Sequence, residues 1–174
     1  LAGLHALCNI FGDPSRRDES VAELDRVVEA VIFSMNNFDQ NADLQARGCL
    51  ALSCICSSGD WYKDIVAEKG GIPVVATAFR SHVVTIDSRT DPGSRDKLKV
   101  AACAALASLA LNATAASELQ ESNLLLDFQT IIARDGLSPD QPFVQTCVIH
   151  LISISLLEAA EISNNSTGSG NAVL

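Results

Sequence analysis

At 174 residues the chain has the size of one ordinary domain with a single core. Apolar residues make up 48% of it and charged residues 19%, too much burial capacity for a disordered chain, and a net charge of −9 provides no basic face to displace the counterions of a nucleic acid. The longest largely apolar run, Val100–Leu111, stops at Asn112, short of the roughly 18 to 20 residues that cross a bilayer, so neither nucleic acid nor membrane is expected as a partner.

In chain order, apolar residues recur at helical spacings of three and four, which predicts helix almost throughout. Residues 1–11 are the first such stretch. The capping-box spacing Ser20 to Glu23 opens the next, which runs to Phe38. Asn41 caps a long helix over 41–57, and Asp60 caps a short one, Trp61–Lys69. Gly70-Gly71 ends that helix in a left-handed turn, and Pro73 fits the first turn of its successor, Ile72–Val84. Asp87–Ser94 is a polar connection whose last residue caps a long helix over 95–112. Leu124–Arg134 is helical again. Ser138-Pro139-Asp140-Gln141 combines an N-cap with a first-turn proline and starts a last long helix over 139–157. Residues 161–174, with Gly, Ser and Asn, read as a flexible tail after a domain spanning 1–160. The chain opens on Leu1 without a basic, apolar and small-residue leader, which reads as an excerpt of a longer protein.

The long helices repeat one another. Ala6-Leu7-x-x-Ile10, Ala51-Leu52-x-x-Ile55 and Ala105-Leu106-x-x-Leu109 share a pattern that Leu151-x-x-Ile154 continues with His150 in the Ala place. The Leu positions lie 45, 54 and 45 residues apart, and the longer interval contains the polar connection Asp87–Ser94, where an insertion costs little. Cys49 and Cys103 share a column with Leu4 and Val148, while Cys147 shares one with Gly3, Gly48 and Ala102, a column of small residues expected to let helices approach closely. Repeated helices of this kind bury their apolar faces by stacking on one another.

The stretch Leu44–His82 resembles an armadillo repeat: Leu44-Gln45-x-x-Gly48-Cys49-x-Ala51-Leu52, then Ile65-x-Ala67, Gly70-Gly71-Ile72 and Ala78-Phe79-x-x-His82. It is also similar to the repeat form in the armadillo arrays of large multidomain proteins, including the leucine-rich-repeat kinases. The resemblance implies an all-α fold, a right-handed superhelix of about three to four stacked units. Each unit would have a short first helix, an outer second helix and a long third helix lining a concave groove. The third helices would be 1–11, 41–57, 95–112 and 139–157, the first of them lacking its own preceding helices. In peptide-binding members such as the nuclear-import adaptors, a Trp two residues before the repeat Leu and an Asn two residues after it clamp an extended basic peptide. Here the Trp column holds His5, Leu50, Ala104 and Ile149, and the Asn column holds Asn9, Cys54, Ser108 and Ser153. These eight residues are the candidate partner-binding groove. Small, apolar and uncharged, they suit an apolar helical face rather than a basic peptide, with little dependence on salt.

No chemistry emerges from the remaining motifs. Cys54 and Cys56, two apart on a helix, point about 200° apart and cannot chelate together. A Cys54 nucleophile beside His5 or His150 lacks an acid to orient the imidazole and an oxyanion-forming turn. All six cysteines (Cys8, Cys49, Cys54, Cys56, Cys103 and Cys147) sit in apolar helical segments, which predicts reduced packing residues and an intracellular, cytoplasmic protein. His82 is expected at a helix end, where a cation complements the dipole; Trp61 is expected as a core anchor; His150 either sits at an exposed end of the stack or is tucked against a partner. Val83-Val84-Thr85-Ile86 either extends its helix or docks a neighbouring domain.

These observations predict a noncatalytic module that binds a protein or peptide. The alternative is a regulatory scaffold region of a larger multidomain enzyme, such as a kinase, packing against other domains of the same chain. No enzyme activity, cofactor, metal or small-molecule substrate is expected. Far-ultraviolet circular dichroism should show a helix-dominated spectrum; an appreciable sheet signal would contradict the fourfold register.

Overall fold

The computed structural model describes residues 17–85, 90–111, 115, 118–119, 121–136, 142 and 144–153. The stretch 1–11, the Ser138-Pro139 start signal and the tail 161–174 lie outside them. The described elements are α1 (Arg17–Asn37), α2 (Ala42–Cys56), α3 (Asp60–Glu68), α4 (Gly71–Phe79) with a π-helical continuation over Arg80–Val84, α5 (Pro92–Leu109), α6 (Leu124–Asp135) and α7 (144–153). No strand occurs among the described residues, so the chain is all-α there.

In α1 the residues Leu24, Val28 and Met35 are fully or almost fully buried, with Val27, Val31 and Ile32 packed beside them, a stripe at helical spacing. The helix starts upstream of the expected capping box, so Ser20 lies inside it rather than ahead of it. At its other end a residue ten positions away supplies the cap. The buried Gln45 amide donates from Nε2 to the carbonyls of Met35 (2.7 Å) and Phe38 (3.0 Å), satisfying groups that the helix leaves open.

Asn41 caps α2 as expected, its Oδ1 accepting from the Leu44 amide at 3.0 Å. The cap expected at Asp60 moves back by one residue. Gly59 takes the N-cap with φ +149°, a conformation that glycine tolerates, and Asp60 becomes the first helical residue, holding Lys63 Nζ at 2.7 Å. The cap expected at Ser94 is supplied instead by Asp91, whose carboxylate accepts from the Ser94 amide at 2.9 Å. Pro92 follows at the first position, so α5 begins before residue 95 and ends at Leu109. Gly70 adopts the left-handed conformation (φ +81°) between α3 and α4, and Pro73 falls in the first turn of α4, both as expected.

Val83 and Val84 extend their helix. The wider π turn places His82 and Val83 inside, at 3% and 0% exposure, and Thr85 closes it with its amide donating to the Arg80 carbonyl at 2.9 Å. His82 lies in the last turn, as expected, and is buried there as a tie. Its Nε2 lies 2.6 Å from the carbonyl of Asp39, which can only accept, so this nitrogen carries the hydrogen. Nδ1 faces the Thr90 hydroxyl at 3.3 Å. The imidazole thus joins the α1–α2 turn, the end of the π turn and the approach to α5.

The elements pack in two layers. α2 and α5 share the most extensive contact in the molecule, and α7 meets the other side of α5, where the Cys147 and Cys103 thiols are hydrogen-bonded and His150 Nδ1 approaches the Ala107 carbonyl at 3.3 Å. In the second layer α1 packs on α4, and the π turn packs on α6. Phe79 and Phe128, both fully buried, meet with ring centroids 4.8 Å apart. Arg80 reaches from the π turn to Asp127 (2.7 Å) and to the Ser122 carbonyl. Arg134 reaches back from α6 to the carbonyls of Val83 (3.0 Å) and Val84 (2.9 Å) while chelating Asp135, whose carboxyl it holds below its ordinary pKa. The two arginines cross between the same pair of elements in opposite directions, and one of them caps the π turn.

Gly48 shows why the small-residue column is small. A Cβ there would lie 2.5 Å from Met35 Cγ, with the sulfur also in the way, and Ala102 and Cys147 in the same column are fully buried. Gly48→Leu should destabilise the fold by about 1 to 3 kcal/mol in denaturant titration. Because the obstacle is a flexible thioether, adding Met35→Ala should recover part of that loss; additivity of the two changes would contradict the contact. Gly71→Ala has no such escape, since its Cβ would lie 2.7 Å from the Val66 carbonyl oxygen.

Candidate binding face

From Gln45 on α2 and from Leu98 on α5, every third or fourth residue is exposed or half-buried while the residues between are buried. On α2 the open stripe is Asp43, Arg47, Leu50, Cys54 and Ser57; on α5 it is Lys97, Val100, Ala104, Ser108 and Leu111 just beyond the helix. The two stripes share the register derived from the repeat, with Leu50 matching Ala104 and Cys54 matching Ser108. On α7, Ile149 and Ser153 continue these columns in the open. All six candidate groove residues within the described part therefore lie on uncovered strips of three consecutively packed helices. His5 and Asn9 lie outside the described residues.

The chemistry of the strip is set by helix geometry. Leu50 is 38% exposed and Ile149 61%, with Ala104 half-buried in the column between them. The two serines turn their hydroxyls back onto their own helices, Ser108 donating to the Ala104 carbonyl at 2.9 Å and Ser153 to the Ile149 carbonyl at 2.8 Å. They occupy the column where an amide would clamp a peptide backbone, and their donors are already engaged. The strip is thus two bulky apolar shoulders with a floor of small residues between them.

The columns themselves are uncharged, as expected, but their surroundings are not. Arg47 opens onto the same face of α2 one turn before Leu50, and Lys97 does so on α5. These two residues form a charged rim at one end of the strip. Beyond it, an open cleft of about 590 Å³ lies between the α1–α2 turn and the start of α5, lined among others by Phe38, Asp39, Asp43 and Asp91.

Other expectations divide. Trp61 is 38% exposed and stacks edge-on against the buried Tyr62 at 5.0 Å, so Tyr62 anchors the core at this point and Trp61 covers it from outside. His150 is half-buried against α5 instead of lying fully open. Glu29 forms an ion pair with Lys69 at 2.6 Å that ties α3 to α1; Glu68 is exposed with no such tie among the described residues. Cys54 and Cys56 do point apart, one half-buried and one fully buried.

Among the described residues the cysteines form no disulfide, and no cluster of three or more His, Cys, Asp or Glu side chains is placed to hold a metal ion. Burial pushes the thiols of Cys49 and Cys56 up to about 12 and, after the hydrogen bond from Cys103, raises Cys147 as well, so none of these three supplies a thiolate at neutral pH. No described helix is long and apolar enough to cross a membrane. Compared with known proteins, the chain matches no family model, no curated protein and no solved structure.

Thiol labelling checks the arrangement. Of the five described cysteines, Cys54 should react first in the native protein, and Cys49, Cys56, Cys103 and Cys147 only as it unfolds; rapid labelling of Cys103 would show that α5 is not enclosed on both sides.

Proposed function

We propose that the chain is an armadillo-type α-solenoid segment, a right-handed superhelix, acting as a noncatalytic protein-binding module. Its third helices are α2, α5 and α7, and the open strip along them is the concave groove that receives a partner. The observation that carries this reading is the coincidence of column and exposure. The described positions that the repeat register assigns to the groove are all exposed or half-buried on α2, α5 and α7, and they include the exposed Leu50 and Ile149. With its hydroxyl donors turned inward, the strip offers little to satisfy an extended backbone. A helix satisfies its own backbone and needs only apolar contact, so the fitting partner presents a helical face.

A second observation favours the alternative of a scaffold packed against further parts of a larger multidomain enzyme such as a kinase. Ser53 and Ala107, at 7% and 6% exposure, share a column with Ile152, which is 42% exposed on α7. Ala107 is covered by α7, so the equivalent surface of α7 is the place where another helical element would stack.

Leu50→Asp places a charge among the apolar contacts and should weaken capture of a partner by about 1 to 2 kcal/mol or more, whereas Glu68→Gln should leave it unchanged. A photo-crosslinker at position 149 should report the same partner and lose it with Leu50→Asp. A partner indifferent to Leu50→Asp would place the interface elsewhere.

A further inference from the structure

The described cations are unequally employed. Lys63, Lys69, Arg80, Lys99 and Arg134 are engaged in ion pairs, and Arg95 is held at the connection before α5, its guanidinium 3.5 Å from the Thr90 carbonyl. Arg26 on α1, Arg47 on α2 and Lys97 on α5 have no ion pair with a described residue, and two of these three stand on the open strip. Arg47 lies one turn after Asp43 on α2, and Lys97 lies in the second turn of α5.

The neighbouring anions, by contrast, have structural tasks. Asp43 sits in the first turn of α2 and complements its amides, Asp91 caps α5, and Asp96 holds Lys99 at 3.3 Å. In a chain of net charge −9, the open stripes therefore carry, beside Asp43, two cations that have no ion pair among the described residues.

Resting on the groove reading above, we infer that the partner of this strip is an amphipathic helix with carboxylates along one flank, placed to meet Arg47 and Lys97. Adjacent helices pack about 8 to 10 Å apart, which a crossing helix spans in about seven residues at roughly 1.5 Å each, so the two carboxylates belong about seven residues apart. Leucine-type side chains between them fill the floor over Ala104 and Ser108. Asp39, Asp43 and Asp91 line the cleft beyond the rim and repel the same carboxylates if the partner slides towards it, so attraction and repulsion together fix the placement.

Two fluorescein-labelled 21-residue helical peptides test this, identical in their leucine face and bearing Glu or Lys at the two flank positions. Anisotropy titration at low salt should show the Glu peptide binding at least about tenfold more tightly than the Lys peptide, narrowing several-fold at physiological salt. The double variant Arg47→Glu/Lys97→Glu, altered only at exposed positions, should reverse the preference while keeping its helical spectrum. Equal affinities, a preference that survives the reversal, or no binding by either peptide would overturn the inference. Leu50→Asp separates the two levels. If it weakens both peptides while charge makes no difference, the groove stands and the acidic partner falls; if peptides bind but ignore Leu50→Asp, the groove reading itself fails.

Discussion

The close approach of α2 and α5 is the constraint on which the rest depends. Two long helices packed side by side, each also covered from behind, cannot carry bulky residues all round. α5 accordingly has Ala at 101, 102, 104, 105 and 107, and α2 has Gly48, Ala51 and Ser53. Ala102, Cys103 and Ala105 reach zero exposure although none is large. The helices gain dispersion and burial from closeness instead of volume, and each added methylene meets an occupied neighbour, as Met35 does at Gly48. The buried cysteines belong to the same logic. Cys49, Cys103 and Cys147 are small enough for the seam, and enclosure raises the pKa of Cys49 and contributes to raising that of Cys147.

The second layer is joined differently. Its helices share the apolar core, in which Phe79 meets Phe128, and are joined as well by polar ties that cross between elements. Exposed ion pairs such as Lys69 with Glu29 contribute little individually, on the order of 0 to 1 kcal/mol. Gln45, His82 and Arg134 differ because each meets main-chain carbonyls at element ends. An unsatisfied carbonyl in those places costs about 1 to 3 kcal/mol, so these side chains act as caps supplied from a distance. They fix where the turns end and hence how one helical group is set against the next.

This division explains what the sequence made legible. The long helices, their register and the open columns follow from local periodicity and from repetition, which survive in a single chain without any partner information. Asn41 and the Gly70-Gly71 stop were readable because their signals are local. The caps at Asp60 and Ser94 were misplaced by one and three residues because each competes with a neighbour of similar character, Gly59 and Asp91, and only backbone geometry decides between them. The long-range caps were invisible, since nothing in the local sequence links Arg134 to Val83, or His82 to Asp39, 43 residues away. Trp61 misled because aromatic content alone does not choose between it and the adjacent Tyr62. Arg47 and Lys97 were passed over because the columns were read without the turn beside them.

The open strip is set apart by its register and not by exposure alone, since Phe33, Phe38 and Leu126 are also exposed elsewhere. Positions on the exposed face of a packed helix are free to be polar, and Glu68 shows this on α3. Leu50 and Ile149 instead keep large apolar side chains in water, where they add little to the core and increase the tendency to associate. Ser108 and Ser153 bend their hydroxyl donors away from solvent, and Ala104 offers nothing beyond a methyl group. Single exposed apolar residues need no explanation, but a strip aligned by register across three helices, with two cations at its rim that have no ion pair among the described residues, is the surface on which the proposed partner would rest. A bound helix would remove Leu50 and Ile149 from water and give Arg47 and Lys97 the counter-charges that the fold withholds, so the same contact accounts for both features.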